Sequence, residues 1–137
     1  MAWLLDTNVW IHYLKNPQSP IREQLARRLP ADIVSCSVVR AELLHGAQKY
    51  GRPERRIALV VQTLAPYLSR SFDDAAAARY ADLRHRLESQ GQVIGPHDLL
   101  IATICLVHDL TLVSANTGEF SRVDGLRLED WTVPDEA

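Results

Sequence analysis

Residues 99–107 read LLIATICLV, which as a helix would be apolar on every side. A helix with no polar face has to be covered all round, so it belongs at the centre of a layered structure. Gly95-Pro96 opens it, and the helix is expected to run to about His108. The run is too short for a membrane span, which takes about 18 apolar residues, and no other stretch reaches that length. Its cover must come from the rest of the chain.

Those segments alternate in kind. Residues 2–6 are a short apolar run ending in an acid, suited to a buried strand. Residues 7–14 have helical spacing, with Val9, Trp10 and Tyr13 on one face. After a turn, Ser19 is the expected N-cap and Pro20 the first residue of a helix reaching about residue 29. Residues 33–36 (IVSC) form a second strand, and Ser37 is expected to cap a helix to about Tyr50, stopped by Gly51. A helix over 53–65 and a short strand near 68–72 follow. Across 73–90, Ala76, Tyr80, Leu83 and Leu87 share a face, and Gly91 ends the helix. Residues 111–115 and 126–128 read as the last strands, with Trp131 as an anchor and 134–137 as a frayed tail.

No repeat or linker breaks this pattern, so residues 1–137 are expected to form a single domain. Strands alternating with helices make it an α/β protein with a largely parallel sheet. In such sheets ligands bind beyond the carboxyl ends of the strands, near a topological switch point.

A formal net charge of −2 rules out a basic nucleic-acid coat protein. It leaves room for a nucleic-acid enzyme, which works through local fields and bound cations. Cys36 and Cys105 lie in apolar stretches without metal-ligand spacing, and the N-terminus lacks the basic flank of a signal peptide. Both point to a reduced, cytoplasmic protein. The histidines show no zinc spacing.

The acids are the candidates for chemistry. Asp6 closes the first strand, where it is either a helix cap or a site residue. Glu42 has Val38, Val39 and Gly46 as helical neighbours, so it either faces a partly apolar seam or pairs with Arg40 or Lys49. Asp98 suits the positive end of its helix dipole, yet it shares a stripe with Ala102 and Cys105 that must lie inside. Asp6, Asn116 and the start of the Asp98 helix all flank strand carboxyl ends and should meet at one edge. Carboxylates crowded there raise one another's pKa unless a cation neutralises them. A hard divalent ion takes such oxygen ligands and serves phosphodiester hydrolysis. Neither a nucleophile elbow nor a glycine-rich phosphate loop is present to suggest another chemistry.

Four blocks together resemble the PIN-domain ribonucleases, especially the VapC toxins of toxin–antitoxin modules. They are Leu4-Leu5-Asp6-Thr7-Asn8, Ser37-Val38-Val39-Arg40-Ala41-Glu42-Leu43, Ile94-Gly95-Pro96-His97-Asp98-Leu99-Leu100-Ile101-Ala102, and Thr111-Leu112-Val113-Ser114-Ala115-Asn116-Thr117-Gly118-Glu119-Phe120. They occur in the family's order and spacing across essentially the whole chain. The resemblance implies a three-layer α/β/α fold with a parallel five-stranded sheet and an acidic pocket that binds Mg²⁺ or Mn²⁺. It implies endonucleolytic cleavage of RNA, tRNA or ribosomal RNA, leaving a 3′-hydroxyl and a 5′-phosphate. By position, Asp6, Glu42 and Asp98 become the metal-binding acids, and Thr7 a polar helper holding an acid or a water. Many relatives have a fourth acid where this chain has Asn116. Asn116 then ligates through its amide oxygen, gives way to Glu119 one helical turn on, or simply caps a short turn over 117–120. The resemblance also implies a homodimer and a cognate VapB-type antitoxin that blocks the pocket, commonly with an arginine.

Two rival readings remain at this level. A phosphomonoesterase using Asp6 as nucleophile would want a second acid at position 8, where Asn8 stands. A non-catalytic PIN-like module that only binds RNA or a partner draws its support from the missing acid at 116. Most arginines read as solvated helix faces balanced by Glu23, Glu54, Asp82 and Glu88. Arg79 and Arg86, two turns apart on one face, are the favoured RNA-gripping pair. Trp10 and Tyr13 either stack on bases or, as their helical spacing favours, pack in the core or on a dimer face, and His97 either tunes the pocket or is an ordinary first-turn residue.

Overall fold

The computed structural model describes residues 1–134; the tail expected to fray lies, from 135 on, outside the described residues. Five strands, β1 (Trp3–Leu5), β2 (Ile33–Cys36), β3 (Leu68–Arg70), β4 (Thr111–Val113) and β5 (Leu128–Glu129), form one sheet in the order β3-β2-β1-β4-β5. Every pairing is parallel. Around it run α1 (Thr7–Lys15), α2 (Pro20–Ala26), α3 (Ser37–Gln48), α4 (Pro53–Leu64), α5 (Asp74–Ser89), α6 (Pro96–Val107) and α7 (Thr117–Phe120). This is the three-layer α/β/α arrangement anticipated above. Among the described residues, no helix is long and apolar enough to cross a membrane.

The central strands carry apolar side chains on both faces, as a sheet covered on both sides requires. Leu4, Leu5, Leu112 and Val113 are fully buried. Ile101, Ala102, Ile104 and Cys105 of α6 are at most 1% exposed, while Leu100, Leu106 and Val107 are half-buried, so the all-apolar helix is covered over most but not all of its surface. The Ala102–Cys105 stripe that Asp98 was assigned to is indeed internal. Cys36 and Cys105 are both free thiols and both buried.

Several local readings change. The cap of α3 is Cys36, whose Sγ accepts the Val39 amide at 3.5 Å, and Ser37 is the first helical residue. Ser19 does take the N-cap position before Pro20, with a cap's extended backbone, but its side chain makes no capping hydrogen bond. α2 stops at Ala26 because Pro30 begins a separate 3-10 turn, Pro30–Asp32. The last strand pairs Leu128 with Leu112 and Glu129 with Val113, later than the expected 126–128. Gly125, at φ 80, spends the preceding residues on a turn. Trp10 is 1% exposed and packs against Tyr13 and Tyr67 at centroid distances of 6.1 and 5.7 Å, which removes it as a base-stacking residue.

β1 is the pivot. The chain builds outward through β2 and β3, then crosses back to place β4 on the other side of β1. The crevice outside the carboxyl ends of β1 and β4 is therefore the switch point.

Candidate active site

Asp6 follows β1 directly into that crevice, and its amide bonds the Val113 carbonyl of β4 at 3.0 Å. Its Oδ1 accepts the Val9 amide at 2.9 Å, so it does cap α1. Capping does not exhaust it. The residue is 4% exposed, and burial pushes its pKa up. Hydrogen bonds from the Ser114 side chain and the Val9 amide pull the other way, while the charge of Glu42 adds to the rise.

Glu42 projects from α3 and is held at both oxygens. The Thr7 hydroxyl donates to Oε1 at 2.7 Å, and His97 Nδ1 lies 3.1 Å from Oε2. Among the described residues it forms no salt bridge with Arg40 or Lys49. The solvated-pair alternative is not what the chain adopts.

Asp98 sits in the first turn of α6 with its pKa pushed up to about 6. Burial is the largest cause, followed by the charges of Glu119, Asp6 and Glu42; a hydrogen bond with Asn116 opposes them. His97, read as either tuning the pocket or an ordinary first-turn residue, lies against Glu42.

Glu119 reaches back from α7. Its Oε1 accepts the Gly95 amide at 2.6 Å and its Oε2 accepts Asn116 Nδ2 at 3.0 Å. The Asn116 bond, then the Gly95 bond, hold its carboxyl below the usual range. Asn116 occupies the N-cap position of α7 without a side-chain capping bond. Its side-chain amide serves the acids, and its backbone amide donates to Ser114 Oγ at 2.9 Å.

All six candidates, Asp6, Thr7, Glu42, Asp98, Asn116 and Glu119, thus fall in one hydrogen-bonded and electrostatically linked cluster. Ser114 and the Gly95 amide belong to it as well. Ser114 was findable by the argument that found Asp6, because it also leaves a central strand at its carboxyl end. The Gly95 donor is backbone and leaves no trace in side-chain chemistry. A Cβ there would lie 3.6 Å from Glu119 Oε1 and 3.7 Å from Asp98 Oδ2, so the loop runs close against both acids.

The donor set is carboxylate and amide oxygen, the chemistry of a hard cation. Among the described residues, no three His, Cys, Asp or Glu side chains are gathered as a ready-made ion cage. Mg²⁺ does not require one, since it usually binds one or two carboxylates and keeps several waters. The residues fit such an ion.

A family model described as PIN domain matches residues 3–126. The tRNA(fMet)-specific endonuclease VapC of Shigella flexneri is 36% identical over 132 residues, covering 96% of this chain and 99% of that protein. Ribonuclease VapC2 of Rickettsia felis is 36% identical over 138 residues, covering 96% of this chain and 98% of its own. Among solved structures, DNA-bound VapBC from Salmonella typhimurium aligns with a TM-score of 0.90 at 33% identity, covering 96% of this chain and 98% of that one. VapBC-1 from nontypeable Haemophilus influenzae gives 0.88 at 30% identity, covering 97% and 100%. With the family model spanning residues 3–126 of a parallel sheet that collects acids at its switch point, the chain belongs to the PIN-domain family. Within it, the chain belongs with the VapC proteins.

Proposed function

We propose that this chain is a divalent-cation-dependent endoribonuclease, the toxin of a toxin–antitoxin pair, which cleaves tRNA and is silenced by a VapB-type antitoxin. The observation that carries the enzymatic reading is the uncompensated charge around Asp98. Burial, then the charges of Glu119, Asp6 and Glu42, raise its pKa, and among the described residues no cation is among the groups that lower it. Strongly perturbed acids gathered in a cleft mark functional sites. The substrate and partner rest on relatives: the Shigella flexneri protein is named for tRNA(fMet), and the Salmonella and Haemophilus structures are VapBC complexes.

In this reading Asp6, Asp98 and Glu42 hold Mg²⁺ or Mn²⁺. When bound, such a cation supplies charge neutralisation at the phosphodiester and a more acidic water. The chain's own residues supply order. The Thr7 hydroxyl and His97 fix both oxygens of Glu42. The Gly95 amide and Asn116 fix both oxygens of Glu119, and Asn116 also hydrogen-bonds Asp98. Preorganisation of this kind means little reorganisation is needed as charge develops. The absent acid at 116, which favoured a non-catalytic module, is offset by Glu119 reaching the same edge.

The test is cleavage of total cellular RNA by the antitoxin-free protein with Mg²⁺ or Mn²⁺, beside EDTA and Asp98→Asn controls. Discrete tRNA fragments that vanish in both controls are expected. Equal cleavage in EDTA, or full activity in the variant, would sink the assignment.

A further inference from the structure

Residues 90–95 join α5 to α6 without regular structure, yet the stretch is held at almost every step. Gly91, at φ 66, and Gln92 turn the chain off α5, their amides bonding the carbonyls of Glu88 and Leu87 at 3.1 and 2.9 Å. This is a Schellman close, whose left-handed residue favours glycine. Ile94 is buried. On either side of it, two side chains from the turn at α7 reach across. Arg122 Nη1 donates to the Val93 carbonyl at 2.9 Å, and Glu119 Oε1 accepts the Gly95 amide at 2.6 Å. The Arg122 amide bonds the Glu119 carbonyl at 3.2 Å, so both side chains leave one turn, three residues apart. The chain then enters α6 at Pro96, with Asp98 in the first turn.

We infer that Arg122 is a positioning residue of the reaction: its bond to the Val93 carbonyl, beside the bond of Glu119 to Gly95, clasps the α7 turn to the approach of α6 and fixes where Glu119 stands relative to Asp98. The inference rests on the endoribonuclease reading. Glu119 and Asp98 are like charges, and after burial Glu119 is the largest cause of the raised pKa of Asp98. Repulsion pushes the two elements apart. α7 has only four residues and buries only Phe120, so its polar side needs a tie of its own. Arg122 supplies one twice over. A guanidinium carries several donors on one plane, so it can bond a carbonyl and still lend its charge to an acid. The Asn116 and Gly95 hydrogen bonds hold the Glu119 carboxyl below its usual range, and the charge of Arg122 adds to them. On the far side of the cluster Asp6 and Glu42 need no such clasp, because they follow β1 and project from the long helix α3.

The test compares the full, antitoxin-free chain with Arg122→Ala and Arg122→Lys. In steady-state cleavage of bulk tRNA with Mg²⁺, Arg122→Ala should lower kcat about tenfold, the scale of one charge-assisted hydrogen bond, and leave KM within about twofold. Arg122→Lys keeps a cation and a donor and should return kcat to within about threefold of the parent. A second readout needs neither metal nor substrate. In EDTA, amide hydrogen exchange should quicken about tenfold at Gly95 in Arg122→Ala, while the Val9 amide, bonded to Asp6 across the cluster, keeps the parent's rate. Equal quickening at both amides would make Arg122 a contributor to general stability and overturn the proposal. So would a loss confined to KM, with the slope of log affinity against log salt flatter by about 0.7, since Arg122 would then grip a phosphate. If the parent leaves total RNA uncut, the endoribonuclease reading fails and takes this one with it. A parent that cleaves beside an Arg122→Ala of equal kcat overturns this proposal alone.

Discussion

Two carboxylate neighbourhoods at the sheet are built in opposite ways. Glu129, on β5, is surrounded by donors: Trp3 Nε1 at 2.9 Å, Trp131 Nε1 at 3.1 Å and Arg28 Nη2 at 3.8 Å. The Arg28 guanidinium lies 4.3 and 4.4 Å from the Trp3 and Trp131 ring centroids, so one cation ties two aromatic rings and an acid together. Around Asp98 the charged neighbours are instead Glu119, Asp6 and Glu42. An acid that serves stability is given the donors it can accept. The switch-point acids keep a standing negative charge, which costs stability and makes sense only if a cation and a substrate arrive to use it.

The sharpest way to break this contrast is Asp6→Asn. Asparagine caps a helix about as well as aspartate, so the Val9 hydrogen bond survives while the charge goes. Cleavage should fall about 10²–10³-fold, the scale of removing one preorganised electrostatic group. The thermal unfolding midpoint should hold or rise. Assays of both on one preparation decide it: a variant that unfolds more easily yet cleaves like the parent would make Asp6 a cap and nothing more.

The Glu129 side should respond in the reverse sense. Trp131 is 1% exposed, and Trp131→Ala should cost about 3–5 kcal/mol of stability, read from urea unfolding. Glu129→Ala, which strands two indole N–H groups, should cost about 1–3 kcal/mol. In both, cleavage per folded molecule should match the parent. A selective loss of cleavage would mean that the two neighbourhoods are coupled.

How far the sequence announced each region follows from the physics of each. The sheet, its parallel pairing and the buried α6 were legible because hydrophobic period and run length report burial directly. Asp6 and Asp98 each suit a helix start and Glu42 could have been a solvated pair, so these acids were legible only together, from the sheet edge where Asp6 and the start of the Asp98 helix should meet and from the four sequence blocks. The fine structure was less so. Cys36 capping α3 in place of Ser37 defeats residue preference, since geometry chose the weaker acceptor. The role of Asn116 depends on where Glu119 reaches, and that is set by the turn between β4 and α7. The Arg28–Trp3–Trp131–Glu129 cluster joins residues 126 apart in sequence, a pairing no local pattern encodes.

Acidity offers a smaller, signed test on the metal-free protein. The carboxyl of Asp98 titrates near pH 6 in the fold against an ordinary value of 3.8. The folded chain therefore holds a proton that the unfolded chain has released between those values. Stability should fall as pH rises from about 4 to about 6, then level off. The full shift corresponds to about 3 kcal/mol, and partial exposure of the carboxyl reduces it to about 1 kcal/mol. Urea midpoints in EDTA across that range should show the slope in the parent and a shallower one in Asp98→Asn. Equal slopes would remove Asp98 as the strained acid.

The smallest effect, and the finest probe of the contrast, is Asn116→Asp. Asn116 Nδ2 now donates to Glu119 Oε2 at 3.0 Å, and Asn116 also lowers the pKa of Asp98 through a hydrogen bond. Aspartate at 116 loses that donor and adds another like charge, moving the cluster further from the arrangement at Glu129. Without metal the variant should unfold about 1 kcal/mol more easily, an effect kept modest because residue 116 is exposed. With metal the sign should reverse, since added ligand charge tightens binding of a hard cation. The Mg²⁺ concentration for half-maximal cleavage should then drop about two- to fivefold, and Mg²⁺ should raise the unfolding midpoint more than it does in the parent. If Asn116→Asp instead needs more Mg²⁺, the amide's donation to Glu119 matters more than the charge count, and the side chain at 116 is an organiser of acids.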